Sequence, residues 1–105
     1  MSQIDNDIRE LRELKTVLTS LERLYINPDF KRVILDEFLT QHPVNLVQGL
    51  GRLNLEPQTK LDIERQLECV ALFKMYLDNL KSQIADIDIR IADAETLRDE
   101  QTRNT

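Results

Sequence analysis

The chain has 105 residues, 41% hydrophobic and 5% aromatic, with two Gly, no Trp, one Cys and a formal charge of −5. This length fits one domain, and so few glycines and aromatics argue against all-β and Rossmann-type folds, which need Gly-rich turns between elements. The acidic balance opposes nucleic-acid binding, which draws on a basic face that releases counterions, so no nucleic-acid partner is expected beyond a local patch such as Lys31-Arg32.

Cys69 is alone, so no intrachain disulfide forms and a reducing compartment is expected. The first residues, Met1 to Asp7, are acidic and lack the basic and apolar regions of a secretory signal. The longest apolar runs are triplets such as Val33-Ile34-Leu35, far short of a membrane span.

The first expected helix covers residues 3–26. Its apolar residues Ile4, Ile8, Leu11, Leu14, Leu18, Leu21 and Tyr25 recur at steps of three and four, one helical face, with Val17 and Leu24 widening the stripe. Asn27-Pro28-Asp29 then reads as a break and a new start, with Asn as N-cap, Pro at the first helical position and Asp in the first turn. The second helix is expected over 28–41, ending before His42 because a residue preceding proline, here Pro43, is pushed out of the α region. Phe30, Val33, Ile34, Leu35, Phe38 and Leu39 give it more than one apolar face. A short helix over 44–50 follows, with Gly49 or Gly51 supplying a left-handed C-terminal residue.

Residues 59–99 carry no Gly or Pro, and Thr59-Lys60-Leu61-Asp62 has the form of a capping box, so one long helix is expected. At 1.5 Å per residue it would run roughly 60 Å. Its seam begins at Ile63, Leu67 and Val70, slips by one residue and resumes as Phe73, Leu77, Leu80, Ile84, Ile87, Ile91 and Ala94 in coiled-coil alternation. The competing reading takes Ile87-Asp88-Ile89-Arg90-Ile91 as a strand of period two, but no turn residue bounds it. Residues 101–105 read as a frayed tail.

The expected fold is a single all-α domain over residues 1–105: two long helices in an antiparallel hairpin-like arrangement, two short capping helices and a coiled-coil C-terminal tail. Pairing the first helix with the longer last one leaves roughly 25 Å of seam uncovered. Self-association through Leu80, Ile84, Ile87, Ile91 and Ala94 is therefore expected, and isoleucine at successive seam positions favours trimers or larger assemblies.

The residues that could carry chemistry do not assemble into a motif. His42 reads as a loop or cap residue and Cys69 as a small helix-packing residue, since catalysis needs a base held against a nucleophile. Carboxylate pairs such as Glu64 with Glu68 lack the Glu-x-x-His partners of a di-metal bundle site. Asp86-Ile87-Asp88-Ile89-Arg90 opens like a calcium loop but has Arg at the fifth position and no following Gly. Gly49-Leu50-Gly51 lacks the third glycine of a nucleotide fingerprint. The expectation is a protein that is not an enzyme, with no catalytic, metal or cofactor residue.

The segment Leu24-Tyr25-Ile26-Asn27-Pro28-Asp29-Phe30-Lys31-Arg32-Val33-Ile34-Leu35-Asp36-Glu37-Phe38 resembles small helical hypothetical proteins of tailed bacteriophages. These proteins show a charged heptad helix, an Asn-x-Asp-Phe-(Lys/Arg)-x-(Leu/Val)-Ile-Leu-(Glu/Asp) core, a short apolar helix and a second long charged helix. The family-like core residues are Asn27, Pro28, Asp29, Phe30, Ile34 and Phe38; Thr40-Gln41-His42-Pro43 departs from the charged or Ala-rich stretch usual there. The resemblance implies a phage gene product of the head-assembly or virion class, located in the host cytoplasm or the virion. The expected function is a non-enzymatic, homo-oligomeric structural or assembly protein whose partners are itself and another virion protein. The alternative is a small helical oligomer that sequesters a host protein or signalling nucleotide, with Lys31, Arg32, Arg52 and Lys60 against phosphate.

Overall fold

The computed structural model describes residues 2–104, and the protein is all-α, with no strand among the described residues. Helix α1 spans Gln3–Tyr25 and α2 is a single turn, Pro28–Phe30. A π-helix, Lys31–Gln41, runs directly into α3, His42–Leu50; α4 spans Pro57–Gln83 and α5 spans Ile87–Arg103. The strand reading of Ile87–Ile91 is thereby excluded. The chain divides into two compact units, residues 24–79 and the remainder.

In the first unit, residues 2–23 with 80–104, Arg12 pairs with Glu95 and Lys15 with Asp88, so α1 and α5 run antiparallel. Ile8, Leu18 and Leu21 of α1 and Ile87 of α5 are buried, as the three-four stripe of α1 requires. The tail therefore has a partner within its own chain. Ile87 is buried and Leu80, Ile84, Ile91 and Ala94 are half-buried, so the expected seam is already partly covered.

The helix expected over 59–99 is interrupted at residues 84–86. The Ile84 and Asp86 amides donate three residues back, to Lys81 (3.2 Å) and Gln83 (3.4 Å), and Asp86 has φ −116° and ψ 0°. The Arg90 amide then donates to the Asp86 carbonyl at 3.0 Å, opening α5. The Asp86 side chain makes no cap hydrogen bond, so the restart rests on the Arg90–Asp86 backbone bond, with Asp86 and Asp88 placing negative charge at the start of α5. The helix continues to Arg103, further than the frayed tail from residue 101 allowed, and Thr105 lies outside the described residues.

In the second unit, residues 24–79, the α2–π–α3 rod lies antiparallel to α4. Tyr25 feels the charges of Asp78 and Lys74, and the Phe38 ring meets Phe73 edge-on with centroids 5.8 Å apart. Near the other end, a Cβ on Gly49 would stand 3.4 Å from Ile63 Cδ1. Gly49 thus serves close approach to α4. Neither glycine is left-handed: Gly51 closes α3 at φ −79°, and the positive φ falls on Asn54, at 62°. Asparagine tolerates that region because its short polar side chain bonds locally.

The Asn27 cap matches the sequence reading. Its Oδ1 accepts from the Asp29 and Phe30 amides at 2.9 and 3.0 Å, and Tyr25 packs edge-on against Phe30. The expected break at His42 does not occur, for His42 is helical at φ −60° and ψ −47°. A proline ring clashes with the carbonyl four residues before it in an α-helix. Here the His42 amide pairs five residues back, with Glu37, which widens the turn ahead of Pro43, and the His42 ring stacks on Phe38. The Thr40 hydroxyl donates to the Leu35 carbonyl, also five residues back, at 2.8 Å. Helix α4 starts at Pro57, two residues before the capping-box Thr59, because Pro at the first position loses no intrahelical donor.

Candidate interaction surface

The family-like residues have separate local roles. Asn27 and Pro28 set the start of the rod, Asp29 stands in its first turn, and Phe30 and Phe38 carry the ring contacts with Tyr25, Phe73 and His42. Phe30, Ile34 and Phe38 are each half-buried. Burial pushes the Tyr25 phenol above its ordinary value, the Asp78 carboxylate adds to the rise and Lys74 opposes it. Lys74 is itself raised, first by its hydrogen bond to Asp78 at 2.7 Å and then by that carboxylate's charge.

His42 and Cys69, which the sequence separates by 27 positions, line one small groove of about 190 Å³ with Phe38, Arg65, Gln66 and Val70. Sequence reasoning took the two residues separately. The signal that joins them is the antiparallel register of the rod on α4. The groove is smaller than the roughly 300–1,000 Å³ of a small-molecule site. Two larger open grooves lie in the first unit. One, of about 340 Å³, is bordered by Ile4, Asp7, Ala94 and Leu97; the other, of about 360 Å³, by Asp7, Glu10, Leu11, Leu14 and Arg90. Among the described residues no three His, Cys, Asp or Glu side chains group as metal ligands, and no helix is long and apolar enough to cross a membrane.

Lys31, Arg32, Arg52 and Lys60 are all exposed, on the rod, in the turn after α3 and in the first turn of α4. None of the three grooves is lined by them, and Arg32 lies 4.0 Å from its own neighbour Asp29.

The conspicuous surface is apolar. In the second unit only Val70 and Leu77 are buried, whereas Val33, Val44, Val47, Leu72, Met75 and Tyr76 are 46–65% exposed. Single exposed apolar side chains are ordinary, but these recur along helices. In α4 the reason is a second stripe: with Val70 and Leu77 inward, Leu72 lies about 160° round the helix. No protein family, no curated protein and no solved structure matches the chain.

Proposed function

We propose that the chain is a non-enzymatic helical interaction module that associates with copies of itself and serves as a structural or assembly protein of a tailed bacteriophage. The observation that carries the interaction role is the apolar surface of the second unit, where two buried side chains stand against a larger exposed set on the rod and on α4. Withdrawing apolar area from water contributes about 25 cal/mol per Å², so such faces favour association. The phage assignment draws on the Leu24–Phe38 resemblance, whose residues fold here as a cap, a helix start and an aromatic contact with α4. His42 and Cys69 flank one groove of about 190 Å³, below the usual size of a small-molecule site.

Quantitative mass spectrometry of purified particles against infected-cell lysate tests this reading. A fixed copy number of this chain per particle is expected. Abundance in the lysate with none in the particle overturns the assembly role.

A further inference from the structure

The π-helical stretch Lys31–Gln41 is unusual in its length, because five-back pairing occurs mostly as single turns inside α-helices. The burial pattern gives the reason for it. From Phe30 to Leu50 the half-buried row Phe30, Ile34, Phe38, His42, Leu46 and Leu50 recurs every four positions, whereas Asp36, Glu37, Thr40, Gln41, Asn45 and Gln48 are exposed. In an α-helix four residues turn by about 400°, a drift of about 40° per step, so the row would wander about 200° round the rod. With five-back pairing each residue turns by about 82°, and the drift becomes about 32° per step in the opposite sense. The backward drift as far as His42 and the forward drift along α3 nearly cancel. All six side chains thus stay within about 100° of one another, on the side where Phe38 meets Phe73.

The same stretch carries a second row, which fits an unbroken α-helix. Leu35, Leu39, His42 and Leu46 follow at steps of four, three and four, a coiled-coil alternation. If the rod were α-helical throughout, with Phe30 kept where it is, these four would stand about 120–180° from Phe30 and turn away from α4. The sequence therefore encodes two registers, and they expose different faces.

Pro43 discriminates between them. In the α register its ring would meet the Leu39 carbonyl, four residues back. In the observed register the turn is widened just there: the His42 amide donates to Glu37, and the Thr40 hydroxyl to the Leu35 carbonyl at 2.8 Å. We infer that Pro43 is the lock of a two-register rod: it holds the π register that packs His42 and Leu46 toward α4, and its release lets the rod rewind as an α-helix that presents Leu35, Leu39 and Leu46 outward. This conformational device lies within the second unit and is independent of self-association.

Nitrogen–carbonyl couplings through hydrogen bonds, measured by nuclear magnetic resonance on the full-length protein and on Pro43→Ala, test the inference. The parent is expected to couple the His42 amide to the Glu37 carbonyl and Pro43→Ala to couple it to Phe38, with the Leu46 methyls at least twofold more relaxed by a soluble paramagnetic chelate. In a double-mutant cycle read by urea unfolding, Leu46→Lys is expected to lower the folding constant at least tenfold less in the Pro43→Ala background than in the parent. A His42–Glu37 coupling that persists in Pro43→Ala, or equal losses in the two backgrounds, overturns the lock. A His42–Phe38 coupling in the parent overturns the π register itself. Unfolding of Pro43→Ala also overturns the inference, since an α-helix accepts alanine better than any other residue.

Discussion

Ile84, Ile87 and Ile89 share one chemistry within six residues, yet the structure gives them three environments. Ile87 is 4% exposed in the first turn of α5, Ile89 is 61% exposed on the far side of the same turn, and Ile84 is half-buried in the turn between α4 and α5. Replacing a fully buried Ile by Ala costs about 2–5 kcal/mol, a transfer cost plus a cavity cost. At Ile87 the neighbouring Ile91 and Ala94 are half-covered, so the site relaxes and the cost falls in the lower part of that range, about 2–3 kcal/mol. Ile89→Ala loses little burial and gains a few tenths of a kcal/mol in helix propensity, so it stays within about 0.5 kcal/mol of the parent. Ile84→Ala falls between, at roughly 1 kcal/mol, because half of its surface is already wet. Urea unfolding followed by far-ultraviolet circular dichroism, at one low protein concentration, reads these values as midpoint shifts; with a slope of about 1–3 kcal/mol/M, Ile87→Ala moves by roughly 0.7–3 M. Ile89→Ala as costly as Ile87→Ala would refute the register of α5. Ile84→Ala as costly as Ile87→Ala would restore an unbroken helix with a continuous seam.

Asn27→Ala removes the acceptor of two amide hydrogen bonds and is expected to cost about 1 kcal/mol in the same assay, with Asn27→Asp close to neutral; no loss in the alanine variant would refute the cap. The Asn6 Oδ1 atom is enclosed without a hydrogen-bond partner, so Asn6→Leu is expected to be neutral or stabilising by up to about 1 kcal/mol, and a loss of more than 1 kcal/mol would contradict this. The raised phenol of Tyr25 favours its neutral form in the fold, so its stabilising contribution is complete below the unfolded pKa near 10 and is lost as pH rises through the higher folded value. Lys74, also raised, loses its contribution in the same direction. Phenolate absorbance of a Tyr76→Phe variant isolates Tyr25; a midpoint above about 10 is expected, and one at or below it would contradict the packing against α4.

The stripe from Ile4 to Tyr25 was legible as one helix because its three-four spacing is unbroken, and Ile8, Leu18 and Leu21 are its buried members. Asn27-Pro28 was legible as a cap and start because both act within a few residues of backbone. Asp86 illustrates the opposite case. It is a cap residue type ahead of an apolar position, a signal present in the sequence, but the regular seam through Leu80, Ile84 and Ile87 masked it. Periodicity measures which residues share a face, not whether the backbone between them is continuous.

Local sequence therefore determined the all-α class and the start of each unit's first helix. Tertiary packing decided what each apolar face meets. Burial of Ile8, Leu18, Leu21 and Ile87 brings α1 to α5, with the surface ion pairs of Arg12 and Lys15 marking the register, so the tail seam is partly covered within the chain. Phe38 against Phe73 and Gly49 against Ile63 assign α4 one of its two apolar stripes as an inner face. A helix with two apolar stripes has no preference of its own between them, because burial is non-directional and rewards whichever face finds a partner first. Only the folded chain shows that Val70 and Leu77 were chosen and that Leu72, Met75 and Tyr76 were left to face water.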